Sequence, residues 1–261
     1  MRALVLNLAT ATDRLKFMGQ QLDALGISWE RIEAVTPATL SPPASDRVWH
    51  GWERPLRTTE MATCATHIAA WMRIRDLDTP CLVLEDDALL DSGVPALLAA
   101  LDYEKTGFDH LSLETRGRRK LVDRTPHPDL PIRRLRLDRT GAAAYVLWPS
   151  GARKLLARAD RARGLADGMI CAAFELDSWQ ADPALAIQLD RCAAHGLTPP
   201  LVTASQIDAA PKPDRGGAFF RMRRLAAQLA MGLRQLRPGT ERREIPPAGN
   251  WIEAVAGHSE R

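Results

Sequence analysis

The spacing of apolar residues along this chain switches period repeatedly, and each switch marks an element. Residues 3–8 are apolar except for Asn7, the pattern of a strand buried on both faces. Thr12 and Asp13 then offer a helix N-cap, Leu15, Met18, Leu22 and Leu25 repeat at helical spacing, and Gly26 ends the helix. Residues 27–35 give a second strand, so the opening predicts a strand–helix–strand unit of an α/β sheet. Residues 36–56, rich in Pro, Ser and Trp, predict a surface loop over a site. Thr58 or Thr59 caps the next helix, with Met61, Ala65, Ile68 and Met72 as the buried stripe and Glu60, Cys64, His67 and Trp71 on the adjacent face.

That helix leads into the most informative stretch. Cys81, Leu82, Val83 and Leu84 run directly into Glu85, Asp86 and Asp87, as a buried strand does when it ends at a solvent-filled crevice. Alternation of side chains along a strand sends Glu85 and Asp87 one way and Asp86 the other, offering two carboxylates to one hard cation. The bland alternative is a solvated loop or the N-cap of a following helix. Asn7, Asp13 and Arg14 stand at the carboxyl end of the first strand, where open α/β sheets bind ligands, and His67 is placed to reach the same crevice. No glycine-rich phosphate loop is present, so phosphate charge falls to a metal ion or to side chains.

Downstream, residues 92–101 predict a short helix, and residues 109–114 alternate as a half-exposed strand ending in Glu114. Residues 116–120 form a basic loop, solvated or facing an anionic acceptor. Strands are expected around Ile132 to Leu137 and within 141–148, a helix over 150–157, and a last short strand over 182–188. Asp167 opens a helix running to about Phe174 and is either its N-cap or a catalytic carboxylate; chemistry alone favours the cap. A linker is expected at 211–217. Over residues 221–237, Met222, Leu225, Leu229, Leu233 and Leu236 form an apolar stripe flanked by Arg221, Arg223, Arg224, Arg234 and Arg237. Such a helix lies on an anionic membrane surface, or docks on its own domain or a second subunit.

The 261 residues, 46% hydrophobic and 26% charged, suit one large α/β domain over 1–205 followed by linker, basic amphipathic helix and tail over 206–261. A net charge of +3, with Arg clustered locally, implies a local anionic partner rather than a nucleic acid. Four separated cysteines without CxxC spacing, and no stretch approaching the ~18 apolar residues of a membrane span, predict a cytoplasmic protein, with peripheral attachment to the inner face of the membrane as the basic helix's contribution.

These pieces together resemble family 25 glycosyltransferases, the lipopolysaccharide or lipooligosaccharide galactosyltransferase group. The resemblance spans roughly 3–188 and rests on Leu6-Asn7-Leu8 with Asp13-Arg14, the segment from Glu60 to His67 and Trp71, Leu84-Glu85-Asp86-Asp87, Leu113-Glu114-Thr115, Gly141 to Tyr145 with Gly151-Ala152, Asp167 and Pro183-Ala184-Leu185. The chain departs from it with Thr66 where the family commonly has Ser, and Ala142 where it has Thr. The resemblance implies a GT-A-like, Rossmann-like mixed sheet flanked by helices, and inverting transfer of a hexose, usually galactose, from a UDP-sugar to a cell-envelope glycan or lipid-linked glycan. It implies a divalent cation, Mn²⁺ or Mg²⁺, on Asp87 and Glu85. It places Asn7, Arg14, His67, Glu85 and Asp86 around the donor, and it raises Asp167 to first candidate for the general base, with Glu114 second. Rival readings are a family member that only binds nucleotide or glycan, and a signalling receiver domain, in which the acidic residues would follow the first strand.

Overall fold

The computed structural model describes residues 1–101, 107–139, 141–201 and 217–252. In chain order, β1 (Arg2–Asn7), α1 (Thr12–Ala24), β2 (Trp29–Glu33), α2 (Thr58–Leu77) and β3 (Cys81–Glu85) build the first half of the sheet, with β1 paired in parallel to both β2 and β3. There follow β4 (Ala88–Leu90), α3 (Val94–Ala100), β5 (His110–Ser112), β6 (Arg119–Pro126), β7 (Ile132–Leu137), β8 (Ala144–Leu147), α4 (Pro149–Ala159), α5 (Ala166–Ala172), β9 (Ser178–Ala181), β10 (Ala186–Gln188), α6 (Ala218–Gln235) and β11 (Thr240–Glu244). Among the described residues the main sheet has nine strands in the order β11-β6-β7-β9-β5-β8-β3-β1-β2, and β4 and β10 form a separate antiparallel pair. This is a mixed α/β fold flanked by helices, the class the sequence predicts.

The apolar runs are buried on both sides because helices cover both faces of the sheet. Ala3 and Val5 of β1, Leu82 and Leu84 of β3, and Ala144 and Val146 of β8 face a core shared with α1 and α3. Their neighbours Leu4, Leu6, Cys81, Val83, Tyr145 and Leu147 face the other core, under α2, α4 and α5. Alternation then carries Glu85, two residues past Val83, onto the α2 side.

Several local expectations need correction. Met72 is 44% exposed, and Trp71 and Ile74 fill the core instead, because α2 is covered on most of its circumference over its first four turns. Arg57 is the N-cap of α2, closed by a capping box in which Glu60 accepts from the Arg57 N–H at 2.9 Å; Thr58 and Thr59 lie inside the first turn. In α1 the N-cap position falls to Ala11, without a side-chain cap, and Thr12 and Asp13 lie inside the first turn. The strand expected to be half-exposed is buried, His110 and Ser112 included, since β5 lies between β8 and β9 in mid-sheet. The basic loop is cut short by β6, where Lys120 is 2% exposed and pairs with Asp138 at 2.7 Å. Residues 36–56 form a surface loop as expected, with Thr36 and Pro37 at the cleft, but two tryptophans anchor it: Trp49 is 1% exposed, and a Cβ on Gly164 or Gly168 would lie 2.1 or 2.5 Å from the Trp52 ring.

Most of the linker expected at 211–217, and the 205/206 boundary itself, lie outside the described residues. Beyond α6, however, the chain returns to the sheet instead of trailing as a tail. β11 pairs with β6, Ile245 is buried, and the Thr115 hydroxyl donates to the Ile245 carbonyl at 2.7 Å.

Candidate active site

A cleft of about 600 Å³ opens at the carboxyl ends of β1 and β3, in the range of small-molecule sites. The end of β3 supplies Glu85 and the turn after it Asp86 and Asp87, α2 supplies Thr63, Thr66 and His67, α5 supplies Asp167, and Gln188 closes β10. Arg14 and Arg116 are the arginines on its wall.

The three adjacent carboxylates meet different surroundings. Asp86 is matched: the Asn7 amide donates to it at 2.7 Å and the Arg14 guanidinium lies at 3.1 Å. Asn7 also donates to the Ala11 carbonyl, so its side chain ties the acidic turn to the start of α1. Burial raises the Asp86 carboxyl above the ordinary range, with Arg14 and Asn7 acting against it. Glu85 and Asp87 share the Gln188 amide, at 3.2 and 3.5 Å, and among the described residues neither has an Arg or Lys at salt-bridge distance. Burial, then the charges of Glu85 and Asp86, push the Asp87 carboxyl up to about 8.

Glu85 is held from behind by a buried polar chain. The Trp71 indole N–H donates to the Tyr145 oxygen at 2.9 Å, Tyr145 meets His67 Nδ1 at 3.0 Å, and His67 Nε2 meets Glu85 at 3.2 Å. Because indole only donates, the Tyr145 hydroxyl hydrogen goes to Nδ1, which leaves Nε2–H to donate to Glu85. His67 is therefore at the crevice but completely buried, orienting a carboxylate rather than reaching into open space.

Asp167 lines the cleft from the first turn of α5. It is not the N-cap, which is Leu165; its carboxylate accepts from the adjacent Gly168 N–H at 2.7 Å. Burial raises its carboxyl, and the Glu85 charge adds to the rise. Glu114 does not line the cleft. It is 1% exposed and accepts from the Ala143 N–H at 2.6 Å. Gly141 makes room for it: φ is +118° there and a Cβ would lie 2.5 Å from Glu114 Oε1.

The donor set suits a hard divalent cation of the open kind, held by one or two carboxylates and completed by water and substrate phosphate. Among the described residues no group of three or more His, Cys, Asp or Glu side chains is placed to hold a metal ion by itself. Glu85 and Asp87 are unmatched, and the Oε1 atom of the Gln188 they share is buried without a partner. Gln188 and Tyr145 were not legible as site residues in the sequence. Only the position of Gln188 at a strand's end hinted at it.

Comparison with solved structures returns, among others, a mutant Drosophila β-1,4-galactosyltransferase 7 in complex with manganese, UDP-Gal and xylobiose. The match has 10% identity over 83% of this chain and 82% of that one, with a TM-score of 0.38, too loose a superposition to carry an argument. No curated protein matches the chain. Residues 1–170, well over half of the sequence and including Asn7, Arg14, His67, the acidic turn, Glu114 and Asp167, match glycosyltransferase family 25 (LPS biosynthesis protein). The chain belongs to glycosyltransferase family 25 and is a glycosyltransferase.

Proposed function

We propose that the protein is an inverting hexosyltransferase of GT-A type that moves galactose from UDP-galactose to a cell-envelope glycan such as lipopolysaccharide. The observation that supports it most is the unmatched pair Glu85 and Asp87 in the same cleft as a raised Asp167 carboxyl. A nucleoside diphosphate leaving group is the ligand that such a pair accommodates through a shared cation. A divalent cation, Mn²⁺ or Mg²⁺, bound to Glu85 and Asp87 would neutralise charge on the departing diphosphate.

The remaining residues divide the work. Asn7 and Arg14 fix Asp86, and His67 fixes Glu85, so the turn is set before the donor arrives. Arg116, on the cleft wall with no hydrogen bond or ion pair among the described residues, is available to the diphosphate or to an anionic acceptor. Asp167 accepts the proton of the acceptor hydroxyl as its oxygen bonds to the anomeric carbon. The bond from that carbon to the diphosphate oxygen breaks, and UDP leaves with the electron pair. A raised carboxyl suits this role because a base works best with its pKa near working pH. Glu114, behind Ala143, has a structural part in this scheme.

The test is a screen of UDP-sugars with Mn²⁺ or EDTA, read by mass spectrometry of hydrolysis and transfer products. Metal-dependent turnover of UDP-galactose is expected, and Asp167→Asn should lower kcat by about 10²- to 10⁴-fold with little change in donor KM. Turnover of no UDP-sugar, or an Asp167→Asn enzyme of undiminished kcat, would overturn the reading.

A further inference from the structure

Helix α6 is mounted in an unusual orientation. Three of its four arginines turn inward: Arg223 donates to the Gly51 carbonyl, Arg224 to the Glu53 carbonyl at 3.5 Å, and Arg234 to the Arg136 carbonyl at 3.1 Å while lying 4.1 Å from the Phe174 ring centroid. Its apolar stripe turns outward. Met222, Leu225, Leu229, Leu233 and Leu236 are each between 62% and 78% exposed, and Phe219 at the helix start is 57% exposed. No residue of α6 is buried. A helix that merely docked on its own domain would bury this stripe, since contiguous exposed apolar surface disfavours the free soluble state.

We propose that the outward face of α6 inserts into the surface of an anionic lipid bilayer. The charge pattern selects this occupant. From Gly217 to Thr240 the chain carries no acidic residue, while Arg221 and Arg237 stand exposed beside the stripe at its two ends. A helix with an apolar face rimmed by arginine is the arrangement that anionic headgroups bind. A second copy pairing through the same face would bring arginine to arginine with no carboxylate between them, which like-charge repulsion opposes. No described helix is long and apolar enough to cross a membrane, so attachment would be interfacial.

The mounting also places this surface in mechanical contact with the cleft. Arg223 and Arg224 hold residues 51–53, and Trp52 in that segment packs against Gly164 and Gly168, on either side of Asp167. Resting on the transferase reading above, this puts the lipid surface next to the wall that would receive a lipid-borne acceptor.

Co-sedimentation of the full chain tests the proposal without any activity readout. The protein should pellet with vesicles of equal parts phosphatidylglycerol and phosphatidylcholine, not with phosphatidylcholine alone, and added salt should weaken binding. Leu229→Asp with Leu233→Asp should reduce the bound fraction about tenfold or more, the neutral pair Leu229→Gln with Leu233→Gln should also reduce it, and both should leave the melting temperature unchanged because these positions are exposed. Equal pelleting of variants and parent, or no pelleting of the parent, would overturn the proposal. So would a parent dimer in solution that both variants convert to monomer without any vesicle binding, which would assign the face to a second copy. Donor turnover measured on a soluble acceptor should be the same in both variants, which separates failure of this inference from failure of the transferase reading.

Discussion

The antiparallel end of the sheet and the cleft treat charge in opposite ways. Across β6, β7, β9 and β11, acidic groups meet basic partners: Arg136 holds Asp123 at 2.6–2.8 Å, Arg133 and Arg243 both hold Asp182 at 2.6 and 3.0 Å, Arg134 holds Asp177 at 2.9 Å, and Lys120 holds Asp138 at 2.7 Å. In the cleft at the carboxyl ends of β1 and β3, Glu85 and Asp87 have an amide and an imidazole but, among the described residues, no Arg or Lys partner, and Asp167 has one backbone N–H. Matched charge stitches strands together, whereas unmatched charge in a cleft is held ready for a ligand. Asp86 is the instructive intermediate, adjacent in sequence to both kinds and matched by Arg14.

The sharpest way to break this comparison is to remove one charge from each end. Asp87→Asn should lower transfer by about 10³-fold or more, in line with the several kcal/mol that a metal-held leaving group gains. The same variant should melt no lower than the parent in EDTA, since the lost charge had no counter-charge; substantial residual transfer with Mn²⁺ supplied would sink the assigned role. Asp182→Ala should do the reverse. With Asp182 and Arg133 largely buried, it leaves Arg133 only the distant Glu241 carboxylate, at 3.9 Å, and should cost about 3 kcal/mol of stability by denaturant titration, with kcat per folded molecule preserved. A large activity loss without destabilisation would mean that the matched end also serves chemistry.

The same contrast explains what could be read from the sequence. The parallel end was legible because β1 and β3 are largely apolar runs and the helices between the strands carry regular stripes, so period locates them. The acidic turn was legible because three carboxylates follow a buried apolar strand directly, and Asn7, Arg14 and His67 converge on the same strand ends. The antiparallel end was not legible in the same way. β9 and β11 are short, contain Trp, Gln, Arg and Glu, and owe their place to ion pairs with residues tens of positions away, which no local pattern reveals. Asp167 misled for a related reason: an acid in the first turn of a helix has the same sequence signature whether or not it caps. The two-sided character of α6, leucines on one face and arginines on the other, was visible in the spacing. That its arginines would face inward was not, because their orientation depends on carbonyls contributed by residues 51, 53 and 136.

Glu114 tests the boundary between the two ends, and its expected effect is the smallest. It is buried, yet Lys120 nearby donates to the Glu114 main-chain carbonyl, at 3.0 Å, and pairs with Asp138. Burial, opposed by the Lys120 charge, pushes the Glu114 carboxyl up to about 7. An unfolded glutamate titrates near 4.3. As pH rises through that value, the unfolded chain releases a proton that the folded chain still holds, so the site costs stability increasingly until pH passes about 7, where the folded carboxyl also ionises and the cost levels off. Glu114→Gln keeps an acceptor for the Ala143 N–H and carries no titrating proton. The melting temperature of Glu114→Gln relative to the parent should therefore rise between about pH 5 and about pH 8, by several degrees for a chain of this size. A difference independent of pH would show that Glu114 is as well matched as the acids of the β6–β11 end, and would move the boundary between structural and functional charge back to the cleft wall itself.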